Sequence, residues 1–241
     1  GNQIVTIPLD VQTFYFLRNS TSGSHTVQFK YASGSGDSFT FSASNKGDQI
    51  IFATANDNKE IDLQELMGDF IQIQSLKDLS FTQEIEETET TLEGNSKLKA
   101  DVVFKSFNRP CFADDTGLEV EALNGAPGVF SARYSGLDCN SSKNMALLLK
   151  NLAGFPNKKA RFRTVITFRE EKETTQFEGV VEGKIIAERR GNYGFGYDPI
   201  FIPDGSQLTF AQMTLEEKNK FSHRARAFAK LKAYLMGKIN T

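Results

Sequence analysis

Gly47-Asp-Gln-Ile-Ile-Phe-Ala-Thr-Ala-Asn-Asp-Asn-Lys59 is the stretch whose reading decides the fold. Gln49 to Ala53 is a short apolar run of the kind a buried strand presents. Polar residues follow it directly, and then a helical pattern runs from about Asn58 to Met67 and ends at Gly68. A buried strand that empties into a helix marks the start of an α/β pattern.

Downstream the mixture continues. Phe70 to Gln74 reads as a second strand, and Thr91 to Phe107 as a helix with Thr91 as its N-cap. Cys111-Phe-Ala113 reads as a short buried strand running into an acidic pair. Asn140 to Leu152 reads as a helix closed by Gly154 and Pro156, and Arg161 to Phe168 with Thr174 to Glu188 as long paired strands. Thr214 to Met236 is helical and opens on Thr214-Leu-Glu-Glu217, a capping-box pattern. The expected fold class is α/β.

Upstream the pattern changes. Val5, Ile7, Leu9 and Val11 alternate with other residues, as do Val27, Phe29 and Tyr31, then Phe39 and Phe41. Asn19-Ser-Thr-Ser-Gly-Ser24 and Ser33-Gly-Ser-Gly-Asp37 supply turns. This predicts a three-stranded antiparallel piece, a β-rich extension over residues 1–46 in front of a main domain over 47–241. So short a piece is marginal for independent folding, so it is expected to dock on the main domain or on a partner.

The composition is that of a soluble globular chain, 39% hydrophobic and 24% charged over 241 residues. A net charge of −2 carries none of the basic excess of a nucleic-acid binder. No apolar run approaches the roughly 20 residues of a membrane helix, and no secretory leader is expected from the first residues. The two cysteines, Cys111 and Cys139, read as reduced thiols of a cytoplasmic protein. With only His25 and His223, a histidine zinc site is excluded, and any metal is expected to be a hard cation on carboxylates.

Four segments carry chemistry. Thr54-Ala-Asn-Asp-Asn-Lys59 sits between strand and helix, where backbone N–H groups and a lysine suit polyphosphate; on its own it also reads as ordinary capping. Asp114-Asp115-Thr116-Gly117 places two carboxylates side by side, which a divalent cation would offset; a polar turn is the other reading. Glu84, Glu86 and Glu87 are a second acidic group upstream. Gly194-Phe-Gly-Tyr-Asp-Pro199 sets little bulk beside flat rings, room for a base to stack with Asp198 at its edge, or a Gly-rich hairpin. The fourth is Lys218 with Ser222-His-Arg224. On one ideal helix His223 would lie about 140° and Arg224 about 240° around from Lys218, so the three cannot meet one ligand unless the helix breaks. The break is expected at residues 220–223, with Ser222 capping a new helix.

In order and spacing these segments resemble one family, the inosine triphosphate pyrophosphatases, also called non-canonical purine NTP pyrophosphatases. The matching pieces are Thr54-x-Asn56-x-x-Lys59, then Glu86-Glu87-Thr88 ahead of Asn95 and Lys99-Ala100, then Ala113-Asp-Asp-Thr-Gly-Leu118. Gly125-Ala-Pro-Gly128 with Ser131-Ala-Arg-Tyr134, Gly194-Phe-Gly-Tyr-Asp-Pro199, and Glu217-Lys218 ahead of Ser222-His-Arg224 complete the set. The resemblance runs from about Gly47 to Leu235. It implies hydrolysis of ITP, dITP and XTP to the monophosphate and pyrophosphate, clearing deaminated purines from the nucleotide pool. It also implies Mg2+ as cofactor, a homodimer, and an elongated mixed-sheet fold with two lobes and a central cleft.

By the same resemblance Asp115 is proton acceptor and metal ligand, and Glu86 is the other metal position. Because one carboxylate cannot easily be both tight metal ligand and free base, Asp114 is expected to share the catalytic work. Thr54, Ala55, Asn56, Asp57, Asn58, Lys59, Thr116 and Lys218 would hold triphosphate and sugar. Phe195, Gly196, Tyr197, Asp198, His223 and Arg224 would hold the base. The chain departs from the pattern at Gly94, where many members carry an acid, at Thr116, where serine is common, and in its first 46 residues. Two other readings are a pyrophosphatase for other modified nucleotides and a non-catalytic nucleotide-binding protein with a β-rich interaction module.

Overall fold

The computed structural model describes residues 3–7, 27–31, 39–41, 48–53 and 71–239. The Thr54–Lys59 segment and the helix expected over 58–67 lie outside the described residues. Three short strands come first: β1 (Gln3–Ile7), β2 (Val27–Tyr31) and β3 (Phe39–Phe41). They form a sheet of their own in the order β1-β2-β3. The pairing of β2 with β3 is antiparallel as expected, but β1 runs parallel to β2. Alternation of side chains is the same in either direction, and the 8–26 segment exceeds the dozen or so residues a parallel crossover needs.

The main sheet takes β4 (Asp48–Phe52), β5 (Ile71–Ser75), β6 (Cys111–Val120), β8 (Lys159–Arg169), β9 (Thr174–Ile185) and β10 (Phe201–Pro203). Their order is β10-β9-β8-β6-β4-β5, with the short β7 (Pro127–Gly128) added beside β6. The pairs β4–β5 and β4–β6 are parallel, whereas β6–β8, β8–β9 and β9–β10 are antiparallel, so the sheet is mixed. Among the described residues four α-helices accompany it: α1 (Leu92–Phe107), α2 (Ser141–Leu152), α3 (Leu215–Phe221) and α4 (His223–Ile239). Thr91 caps α1 and accepts from Gly94 N, as its sequence pattern predicts.

Neighbouring residues of a strand face opposite ways, and the core shows it along β4 and β6. Ile51, Ala53, Cys111 and Ala113 pack on Ala100 and Val103 of α1. Phe52 and Phe112 lie between them in sequence and pack on Ala227, Phe228, Leu231 and Leu235 of α4. Phe52 and Phe112 stack with centroids 4.7 Å apart, and Phe228 meets Phe112 edge-on at 5.8 Å. The central strands are therefore covered on both sides, α1 on one and α4 on the other. A third cluster joins Leu118, Val120, Phe162, Phe201 and Phe210 to Met145 and Leu148 of α2.

Two expectations about elements need correction or sharpening. The strand expected to stop at Ala113 runs to Val120, and β8 pairs with it throughout, Asp114 opposite Ile166 and Asp115 opposite Val165. The acidic pair is thus in the middle of a strand, not in a turn beyond it. The C-terminal helix does break: α3 ends at Phe221, Ser222 is extended at ψ 130°, and its Oγ accepts from Ala225 N at 3.4 Å at the start of α4. Gly179 of β9 makes room for that start. A Cβ there would lie 2.0 Å from His223 O and 2.6 Å from Ala227 N.

Candidate active site

The two acids of β6 point to different helices. Asp115 shares its face with Cys111 and Ala113, and its Oδ1 accepts from Lys99 Nζ of α1 at 2.8 Å. Asp114 shares its face with Phe112, and its Oδ2 lies 3.6 Å from an Nη of Arg224 at the start of α4. Like charges at adjacent positions are tolerated because the pleat separates them and each has a cation of its own. Both acids are buried.

Around Asp115 a further acid converges. Lys99 also donates to Glu87 Oε1 at 2.8 Å, so one ammonium bridges Asp115 and Glu87. Arg133 holds the other side of Glu87, donating to Oε2 at 2.7 Å and to the main-chain oxygen at 3.3 Å. Asn95, fully buried in the first turn of α1, accepts from Glu89 N at 2.9 Å and so fixes the same segment. Burial raises the Glu87 carboxyl, but Lys99 and Arg133 outweigh it and bring it down to about 2. Burial likewise works against the Lys99 charge, yet Asp115, Glu87 and Asp114 hold its ammonium above the ordinary lysine range. Glu86, the acid expected beside the metal, is exposed; Glu87, one position on, is the one tied to Asp115.

On the other face Phe195, Asp198 and Arg224, expected around a base, come together with Lys218, expected at the triphosphate and sugar. Lys218, in the last turn of α3, donates to Asp198 Oδ2 at 2.8 Å, and the same oxygen accepts from Phe195 N at 2.9 Å. Lys218 Nζ lies 5.2 Å from the Phe195 ring centre and Arg224 Cζ lies 5.4 Å from it. Gly194, at φ 73°, has no room for a side chain, because a Cβ would sit 2.1 Å from Asp198 Oδ2. His223 stacks on Phe162 at 4.8 Å and 10°. Thr116 Oγ1 lies 2.7 Å from Thr164 Oγ1 and donates to Asp114 Oδ2 at 3.3 Å.

Tyr197 is the exception in this group. Its ring is buried within the α2-side core and its hydroxyl donates to Ser131 O at 2.9 Å, so it is a packing residue and not a surface for a base. Gly196, at φ 64°, lets the chain reverse between the Phe195 and Tyr197 side chains. Ser131 continues the same tie, its Oγ accepting from Leu118 N at 2.8 Å and donating to Gly128 O at 2.6 Å. Arg133, two residues on, then reaches Glu87. The Ser131-Ala-Arg-Tyr134 motif thus connects the core to the acidic center, a role its sequence alone did not reveal.

A sequence model of the Ham1 family matches residues 50–234. The chain belongs to the Ham1 family. Among Ham1 relatives, a dITP/XTP pyrophosphatase of Flavobacterium psychrophilum is 49% identical over 74% of this chain and 94% of its own length. That of Porphyromonas gingivalis is 47% identical over 78% of this chain and 98% of its own. The solved Staphylococcus aureus Ham1 protein superposes with a TM-score of 0.73 at 38% identity, over 79% of this chain and all of that one. The mixed α/β fold is that of the Ham1 structures. Both Glu87 and Asp115, with the Phe195, Lys218 and Arg224 group, lie inside the matched span.

Proposed function

We propose that the chain is a nucleoside triphosphate pyrophosphatase that hydrolyses ITP, dITP and XTP to the monophosphate and pyrophosphate, acting in the cytoplasm as a homodimer. The observation that carries this is the pair of faces on β6: a lysine ammonium between Asp115 and Glu87 on one, and an aromatic ring flanked by Lys218 and Arg224 on the other. Relatives covered over almost their whole length are named dITP/XTP pyrophosphatases, which supports the reading.

Two carboxylates that converge on one cation suit Mg2+, which is commonly held by one or two carboxylates plus substrate phosphate. Among the described residues there is no larger cluster of acids, cysteines and histidines for a metal. Glu87 and Asp115 would hold Mg2+, and the ion would neutralise charge on the phosphate oxygens and acidify bound water. Lys99, carried into the site by α1, would offset phosphate charge as well. A carboxylate oxygen of Asp115 would take the proton of the attacking water. The Phe195 ring offers a face for the purine, and Arg224 offers donors that favour a 6-oxo oxygen over the 6-amino group of adenine. The Thr54–Lys59 segment is assigned to the triphosphate on the strength of its sequence alone.

The test is a nucleotide panel with pyrophosphate detection, run on the full chain and on a chain starting near Gly47. ITP, dITP and XTP should turn over well ahead of ATP and GTP. Well-folded protein that leaves all three untouched, or prefers a modified pyrimidine, would overturn the reading.

A further inference from the structure

We propose that Asp114 is a positioning residue for Arg224, and that through Arg224 it sets which purine edge the site accepts. This rests on the pyrophosphatase reading and divides the acidic pair: Asp115 serves the water and the metal, and Asp114 serves recognition.

The argument begins with the pleat. Asp114 and Asp115 are successive residues of a strand that pairs with β8 throughout, and beyond Phe112 its β4 edge is open at the acidic pair among the described residues; their carboxylates project to opposite faces of the sheet. Asp115 meets Lys99 of α1, and Asp114 meets Arg224 of α4. Asp114 is 2% exposed and Arg224 4%, so each charge is withdrawn from water, with the opposite charge 3.6 Å away. The acid is steadied from the strand side, because Thr116 donates to the same Oδ2 and is itself linked to the buried Thr164.

Arg224 has a planar fork with five N–H groups. One Nη is turned to Asp114, and the guanidinium carbon stands 5.4 Å from the center of the Phe195 ring, the face proposed for the base. Asp114 therefore fixes the guanidinium's position beside the face where a purine would lie. The break at Ser222 makes this possible, since it lets Arg224 enter from the first turn of α4 while Lys218 enters from the last turn of α3. A charge pair at this spot selects between a 6-oxo acceptor and a 6-amino donor without touching the phosphorus.

The experiment compares Asp114→Asn, Arg224→Gln and the double variant D114N/R224Q with the wild type on ITP and ATP at saturating Mg2+, with kcat and KM resolved. D114N is expected to raise KM for ITP and to narrow the ITP-over-ATP preference, each by about ten- to a hundredfold. It should do so with a far smaller effect on kcat. D114N should add little to R224Q in preference or KM, because both act through the same guanidinium. The double variant removes both buried charges together and so guards the comparison if D114N alone fails to fold.

A D114N enzyme that loses kcat equally on both nucleotides with its preference intact would overturn the proposal. So would effects of D114N and R224Q that simply multiply in the double variant. A wild type inert on ITP, dITP and XTP would instead overturn the pyrophosphatase reading itself.

Discussion

At the residue scale the site depends on which acid faces inward. Glu84, Glu86 and Glu87 are chemically alike, and the 84–89 segment has no regular structure whose period would mark one of them. Structure separates them, because Lys99 and Arg133 both close on Glu87 while Glu86 is exposed. Glu87→Gln is expected to raise the Mg2+ needed for half-maximal turnover by about ten- to a hundredfold, with Glu86→Gln close to wild type. A Mg2+ titration of pyrophosphate release checks this, and the opposite ranking would restore Glu86. Asp115, Lys218 and Arg224 were named from their motifs. The structure ties Glu87, one position beyond Glu86, to Asp115, and the signal that could have pointed to it was the presence of two cations, Lys99 and Arg133, in adjoining motifs. The expectation for Tyr197 did not foresee that its ring turns into the core while that of Phe195 lies beside Lys218 and Arg224, a divergence that Gly196's positive φ allows.

At the element scale the account depends on how close α4 begins to the sheet. The break near Ser222 was legible because one helix could not bring Lys218, His223 and Arg224 to a single ligand. The length of β6 was not, because Asp-Asp-Thr-Gly reads locally as a turn, whereas ten residues of pairing with β8 and cations from two helices make it a strand. Gly179 is the contact that limits the α4 approach, and backbone atoms cannot yield as a flexible side chain would. Gly179→Ala is expected to cost about 1–3 kcal/mol in stability and to raise KM for ITP, since His223 and Arg224 move with the first turn of α4. Thermal denaturation and steady-state kinetics on the same preparation check both parts. An alanine variant with unchanged Tm and KM would mean that α4 is not held where the contact places it.

At the scale of the whole molecule, electrostatics ties stability to pH. The Glu87 carboxyl is at about 2 in the folded chain against an ordinary 4.5, and Glu93 is shifted down as well by its hydrogen bond to Arg163. A lowered folded pKa means that the unfolded chain binds more protons in this range, so stability rises with pH. The contribution is complete above about pH 5 and is lost as pH falls toward about 2. The wild type should therefore lose Tm steadily on acidification below about pH 5, and E87Q should lose less. An E87Q profile as steep as the wild type would place the acid sensitivity elsewhere. The α/β class and the order of β4, β5, α1, β6, α2, β8, β9 and the C-terminal helical segment were legible in the sequence, whereas the two- and three-residue strands β7 and β10 were not. The parallel pairing of β1 with β2 was not, because alternation carries no direction.

The central claim is that the Asp115–Glu87 face of β6 drives hydrolysis between the α and β phosphates of a non-standard purine nucleotide. The most direct measurement incubates the full chain with ITP and Mg2+ and quantifies IMP, pyrophosphate and orthophosphate together, with Asp115→Asn in parallel. The account predicts equal amounts of IMP and pyrophosphate, no early orthophosphate, and a fall in kcat of at least about a hundredfold for D115N. Orthophosphate as the first product, or a D115N chain as active as the wild type, would contradict it.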